Sequence, residues 1–273
     1  MNKQDNIEIL KRPLASAAYF IQSALNIRPK GMCLVTGCPR SGTSAMLAWL
    51  HSNKEVARFF ESRILISAHR FYSEADRFED LTHDMDYLTT EIRKLVLKHY
   101  ASRKLIFMKQ LVEKEPLEPI AFPDEDYASF LSNIRKMFPD MKLVFMIRNP
   151  INTIWSMMNR KWGYSLASNQ LRRFTLEECI RTWNACTSLA LQYTREKNVY
   201  ICQFEDLIEE PLKTSTQILR FLSLQYCPAF ETRQTKTAGF GKSDRQTILR
   251  ETSDQMDAIN RFFAFRTKDL HSL

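Results

Sequence analysis

The sequence predicts an α/β protein with three α/β/α layers around a central, mainly parallel sheet of about five strands. Two observations carry this prediction. Five short runs are almost continuously apolar, which is typical of strands buried on both faces. Segments of helical length separate the runs, and such alternation favours a parallel sheet. In addition, only 6 of the 273 residues are glycine, so the positions of the glycines are informative.

The strands are expected where the apolar runs lie. The five runs cover residues 32–37, 56–60, 104–109, 142–147 and 198–204. None of them alternates strictly between apolar and polar residues, as a strand with one face in water would. We therefore expect helices on both faces of the sheet.

Three segments between the runs show helix signals. Residues 82–101 place apolar side chains on one helical stripe. The segment 175–197 opens with Thr175 and has Glu178 three residues later, which is the spacing of a capping box. The segment 211–224 begins with a proline, a favoured first residue of a helix. The tail at 228–252 is polar and basic, and we expect it to be mostly irregular.

Composition excludes several classes of protein. A hydrophobic content of 44% and a charged content of 26% are typical of a globular domain and exclude general disorder. No apolar run approaches the roughly 18 residues that a membrane span needs, and the N-terminus lacks the apolar core of a secretory signal. We expect one domain over residues 1–273, with its core at about 30–262. We also expect the protein to lie in the cytoplasm.

Charge and cysteine content narrow the class further. The net charge of +8 indicates an anionic partner. The basic residues are scattered and no nucleic-acid-binding motif is visible, so we expect no nucleic-acid partner. The six cysteines show no metal-ligand spacing and several lie in apolar contexts, which predicts reduced, buried thiols and no metal site.

A phosphate-binding loop is predicted after the first apolar run. The loop reads Gly37, Cys38, Pro39, Arg40, Ser41, Gly42, Thr43 and Ser44. Its glycines let the backbone turn, and the helix that follows presents N–H groups and a positive dipole end to an anion. Compared with the pattern G-x-x-x-x-G-K-[ST], the lysine is replaced by Thr43 and the cation stands at Arg40. The fold is therefore of the P-loop type with a displaced charge.

A second basic motif follows the fourth apolar run. Arg148 follows this strand, Pro150 is placed to open a helix, and Ser156 lies eight residues after Arg148. Arginine offers a permanently charged, bidentate fork that suits a phosphate group.

Together, the two motifs resemble those of the sulfotransferases that use 3′-phosphoadenosine 5′-phosphosulfate (PAPS). The resemblance implies transfer of a sulfuryl group to a hydroxyl or amine, release of adenosine 3′,5′-bisphosphate (PAP), and no metal. It also implies that Arg148 and Ser156 hold the 3′-phosphate. Residues 239–245 resemble the basic segment that closes over the nucleotide, which indicates Lys242 and Arg245.

The same resemblance indicates three catalytic residues. Arg40 would stabilise charge on the leaving phosphate, and Lys109 matches the lysine that closes the third strand in the family. The cytosolic branch has a histidine two residues further on, where this chain has Leu111. Glu61, in a Glu-x-Arg pattern, instead resembles the base of the tyrosylprotein and bacterial branches, and its aromatic neighbours favour a raised pKa. Glu113 and His69 are alternative bases.

Other functions stay open at this level. A P-loop kinase or phosphotransferase would want a lysine at position 43, and a non-catalytic nucleotide-binding protein would also fit the phosphate motifs. The sequence does not decide whether the acceptor is a small molecule, a lipid, a sugar or a peptide. It also does not decide whether the protein forms a homodimer. We expect the acceptor pocket to be built by residues 64–100, 111–130 and 160–175.

Overall fold

The computed structural model describes most of the predicted core. The described residues are 31–58, 64–75, 87, 89–95, 110–114, 127–165, 170–225, 239 and 241–270. In this part of the chain, no helix is long and apolar enough to cross a membrane.

Seven strands occur in the described residues. They are β1 (Gly31–Gly37), β2 (Val56–Arg58), β3 (Gln110–Lys114), β4 (Lys142–Ile147), β5 (Lys161–Ser165), β6 (Gln170–Arg173) and β7 (Val199–Gln203). Five of them form a parallel sheet in the order β2-β3-β1-β4-β7. β5 and β6 form a separate antiparallel hairpin. The predicted parallel sheet of five strands is confirmed.

The described part of the third strand lies directly after the predicted run. Residues 104–109 lie outside the described residues, and the strand that pairs with β1 is Gln110–Lys114. Its register sets Gln110 opposite Gly31 and Lys114 opposite Val35. The lysine that closes β3 is therefore Lys114.

Nine helices have bounds that fall within the described part of the chain. They are α1 (Thr43–Leu50), α2 (Ile64–Ala75), α3 (Tyr127–Met137), α4 (Pro150–Met158), α5 (Leu176–Gln192), α6 (Phe204–Glu209), α7 (Pro211–Leu222), α8 (Lys242–Glu251) and α9 (Ser253–Leu270). Residues 89–95 are also helical. The predicted capping box is present, since Thr175 Oγ1 accepts from the Glu178 N–H while the Glu178 carboxylate accepts from the Thr175 N–H.

The prediction of an irregular tail is wrong for residues 242–251, which form α8. Ile248 is the one buried residue of this helix, so the sequence shows no apolar stripe there. Its end signals are nevertheless present. Gly241 precedes the helix, Asp244 lies in the first turn and Arg250 in the last.

Two apolar clusters pack on opposite faces of the sheet. Side chains of β1 alternate between them, with Leu34 in one cluster and Val35 in the other. The first cluster includes side chains of α2, α3 and α5, and the second includes those of α1, α6 and α7. This arrangement gives the predicted three layers. Five cysteines are buried and form no disulfide within the described residues, which agrees with the predicted reduced thiols, and Cys227 lies outside the described residues.

Candidate active site

The phosphate loop, residues 37–44, connects β1 to α1. Gly37 and Gly42 have positive φ values of 141° and 103°. A side chain at position 37 would clash with the Met146 carbonyl oxygen, and one at position 42 would overlap the Phe204 ring. Both positions therefore need glycine. Arg40 also has a left-handed backbone (φ 71°), a costly conformation that occurs mainly at functional sites.

The N-terminus of α1 offers hydrogen-bond donors to an anion. Gly42 caps this helix without a side-chain hydrogen bond, and no acidic residue lies in its first turn. Ser41 is fully buried, and its Oγ has no hydrogen-bond partner among the described residues. Thr43 is buried and Ser44 is exposed in the same turn. Backbone N–H groups of a first helical turn and a buried, unpaired hydroxyl together suit a phosphate group.

The second predicted motif contacts the first. Asn149 caps α4 through hydrogen bonds that its Oδ1 accepts from two backbone N–H groups, which fixes the helix directly after Arg148. Arg40 Nε donates a 2.9 Å hydrogen bond to Ser156 Oγ, across 116 residues of sequence. Arg148 Nη1 lies 3.3 Å from the Arg40 carbonyl oxygen, to which it donates. The structure thus brings Arg40, Arg148 and Ser156 together at the carboxyl edge of the sheet.

Arg148 contacts several neighbouring groups, but one of its hydrogen-bond donors has no partner among the described residues. Its guanidinium lies 4.8 Å from the centre of the Phe204 ring, and its backbone carbonyl accepts a 2.9 Å hydrogen bond from Trp183 Nε1. The Arg148 Nε is buried and unpaired within the described structure. Burial lowers the pKa of Arg148, and Glu205 partly opposes this effect. A desolvated cation with an unpaired donor is prepared to bind an anion.

Arg160 is a site cation that sequence reasoning missed. The pKa of Arg40 is lowered first by burial and then by the positive charges of Arg160 and Arg148. Three arginines therefore share one electropositive region, and Arg160 is the exposed member. The only sequence signal is its position four residues after Ser156.

Two of the three predicted catalytic residues, Glu61 and Lys109, lie outside the described residues. Glu61 follows β2, which ends at Arg58. The assignment of Lys109 as the lysine at the end of the third strand therefore stays a prediction, and the described strand β3 ends at Lys114. Since parallel strands of a sheet end at the same edge, the register places Lys114 on the side of the phosphate loop.

The alternative bases fall in different settings. Glu113 lies within β3, opposite Leu34. His69 is buried on α2, where its Nδ1 lies 3.3 Å from both Asn133 Nδ2 and Ser73 Oγ. Its ring also packs edge-on against Phe130. These contacts make His69 a structural residue of the core.

The predicted closing segment lies beside α4. Gly239 packs against the ring of Trp155, the residue before Ser156. Lys242 and Arg245 then lie in the first turns of α8 and are exposed. In the ranges that the structure describes, no group of three or more potential metal ligands occurs.

The model of the sulfotransferase family matches residues 33–228. The chain belongs to this family. It is 23% identical over 242 residues to protein-tyrosine sulfotransferase 1 of Danio rerio, an alignment that covers 84% of this chain and 63% of that protein. The chain thus spans less than two thirds of that relative's length.

Solved structures of the family share the fold. A sulfotransferase from Mycobacterium avium superposes with a TM-score of 0.55 at 10% identity, covering 89% of this chain and 83% of the other. A mouse sulfotransferase complexed with PAP superposes with a TM-score of 0.53 at 13% identity, covering 90% of each chain. At these identities the similarity is one of fold, and it agrees with the predicted α/β architecture.

Proposed function

We propose that the chain transfers a sulfuryl group from PAPS to an acceptor hydroxyl or amine and releases PAP. The observation that carries this proposal is the contact between the two phosphate motifs, made by Arg40 Nε and Ser156 Oγ. PAPS has a 5′-phosphosulfate and a 3′-phosphate on one ribose. A protein that binds it needs two adjacent anion sites, and the loop of residues 37–44 and the Arg148–Ser156 pair are adjacent.

The donors at this site fit such a ligand. Ser41 Oγ and Arg148 Nε are both buried without a partner among the described residues, and unpaired buried donors are costly unless a ligand satisfies them. The α1 N-terminus, with Ser41, Thr43 and Ser44, would hold the 5′-phosphosulfate. Arg148 and Ser156 would hold the 3′-phosphate.

Three further cations extend this site. Lys242 and Arg245 of α8 would close over the nucleotide, and Gly239 anchors the preceding segment on Trp155 of α4. Arg160 adds positive charge beside Arg40. Each of these cations favours a polyanionic ligand over a neutral one.

The reaction requires in-line displacement at sulfur. A bond forms between the acceptor oxygen and sulfur while the bond between sulfur and the bridging phosphate oxygen breaks, and the acceptor proton passes to a base. We assign Glu61 as the base. Arg40 and the N-terminus of α1 would stabilise the negative charge that develops on the leaving phosphate, and we assign Lys109 as the further cation on the basis of its resemblance to the family.

The acceptor is proposed from the relatives and from charge. The curated relatives are named protein-tyrosine sulfotransferases, and the net charge of +8 favours an acidic substrate. An acidic, tyrosine-containing peptide is therefore the first acceptor to test. A phenol, an alcohol and an amine of low molecular weight test the other acceptor classes.

The test is transfer of labelled sulfate. With PAPS labelled in its sulfuryl group, we expect label on an acceptor and equimolar release of PAP. ATP labelled in its terminal phosphate should give no labelled product, because position 43 is a threonine where a kinase of this loop type needs lysine. Label from ATP, with none from PAPS, would overturn the proposal in favour of a phosphotransferase.

A further inference from the structure

The helix that carries Lys242 and Arg245 has few anchors. α8 runs over ten residues, and Ile248 is its one buried side chain. The two cations themselves are exposed. Since the helix itself has a single apolar anchor, its placement also depends on the contacts at its two ends, where Thr252 is buried directly after the helix.

Both ends of this segment are attached to elements of the nucleotide site. On the N-terminal side, Gly239 lies against Trp155 of α4. At the C-terminal end, the carbonyl oxygen of Glu251 accepts a 2.8 Å hydrogen bond from Asn184 Nδ2 of α5. The residue before Asn184 is Trp183, whose indole N–H donates to the Arg148 carbonyl oxygen at 2.9 Å. Two consecutive residues of α5 therefore hold the arginine of one anion site and the end of α8.

One atom of the Asn184 side chain lowers the stability of the fold. Its Oδ1 is buried and unpaired within the described residues, and a buried acceptor without a partner lowers stability. Its amide donates to the end of α8. Trp183 beside it is 1% exposed, which fixes the rotation of α5 at this point. The donation to Glu251 is thus the contact that an apolar side chain at position 184 would lose.

We propose that Asn184 is a positioning residue, which holds α8, and with it Lys242 and Arg245, in place over the nucleotide. This inference rests on the proposed binding of PAPS and PAP. Asn184 contacts neither anion site itself, and its effect passes through the helix.

The first test compares two asparagine variants in PAP titrations. Asn184→Ala should weaken PAP binding about fivefold, the change expected for one lost hydrogen bond, and should raise the KM for PAPS while leaving kcat at saturation unchanged. Asn198→Ala is the matched control. Asn198 Nδ2 also donates to a backbone carbonyl, that of Met141 at 3.0 Å, but at the opposite edge of the sheet. The Asn198→Ala substitution should leave PAP affinity unchanged. If Asn184→Ala fails to fold, Asn184→Asp, which keeps the shape and cannot donate, serves instead.

The second test is a double-mutant cycle. If Asn184 acts through the cations of α8, Asn184→Ala should not weaken PAP binding further once Lys242 and Arg245 are both replaced by alanine. Additive effects would overturn the inference, and so would unchanged affinity in Asn184→Ala when the replacement of the two cations weakens binding. If the cations prove unimportant while Arg148→Ala abolishes binding, this inference fails and the proposed function stands. If the wild-type protein does not bind PAP, the proposed function itself fails.

Discussion

Replacing Arg148 by methionine should separate nucleotide binding from stability. Methionine keeps a long apolar stem that can pack on the Phe204 ring, which lies 4.8 Å from the Arg148 guanidinium. It removes the charge, the donor fork and the buried Nε that has no partner among the described residues. The substitution therefore deletes the groups that we assign to the 3′-phosphate and changes packing little.

The magnitude follows from the contacts of Arg148. Loss of charge-assisted hydrogen bonds to a phosphate costs about 2–4 kcal/mol, which corresponds to a Kd for PAP that is about 30- to 1000-fold weaker. In the free protein, the arginine gains a 3.3 Å hydrogen bond to the Arg40 carbonyl oxygen and the attraction of Glu205. It is also desolvated, which lowers its pKa. These effects oppose each other, so the free energy of unfolding should change by less than about 1 kcal/mol.

The assay is calorimetric titration with PAP, together with thermal unfolding with and without the ligand. Arg135→Met is the matched control, since Arg135 is also a half-buried arginine but pairs with Glu196 at 3.0 Å, away from the loop. It should bind PAP normally. A Kd for Arg148→Met within threefold of the wild-type value would refute the assignment of this arginine to the nucleotide.

Three further predictions concern the loop, the base and a surface carboxylate. Gly42→Ala should lower stability by about 2–4 kcal/mol in chemical denaturation, because φ is 103° and the new methyl would overlap a packed ring; Gly241→Ala, with open space around it, should leave stability unchanged. Glu61→Gln should bind PAP normally and turn over about 10²- to 10⁴-fold more slowly, and full activity would exclude Glu61 as the base. Arg172 lowers the pKa of Glu178 to about 2, so this carboxylate stabilises the fold above about pH 4.5 and less as pH falls. Glu178→Gln should cost about 1 kcal/mol at pH 7, and the difference should shrink below about pH 4.5 and be lost as pH falls through about 2.

Local signals predicted the parts of the fold that depend on local sequence. The loop after β1 and the capping box of α5 follow from residue types at fixed spacing, and both are present. The strand residues Gln110–Lys114 were not predicted, because they belong to the sheet through pairing with β1 and β2, which no local pattern records. The segment Gln110–Lys114 is less apolar than the run before it, yet it supplies the strand.

The candidate site likewise contains residues that the sequence predicted and residues that only the fold brings together. The spacing of Arg148 and Ser156 indicated a shared anion site, and the hydrogen bond from Arg40 to Ser156 Oγ joins that site to the loop. Arg160 and Asn184 were not predicted. One is an exposed cation among 39 lysine and arginine residues, and the other acts through a contact 67 residues away in sequence. Only the assembled fold distinguishes such residues from their neighbours.

The central claim is that one nucleotide spans the two phosphate motifs. A crystal structure of the protein with PAP tests it most directly. We expect the 5′-phosphate at the N-terminus of α1, beside Ser41, and the 3′-phosphate within hydrogen-bonding distance of Arg148 and Ser156. PAP bound elsewhere, or crystals that stay free of ligand at millimolar PAP, would contradict the account.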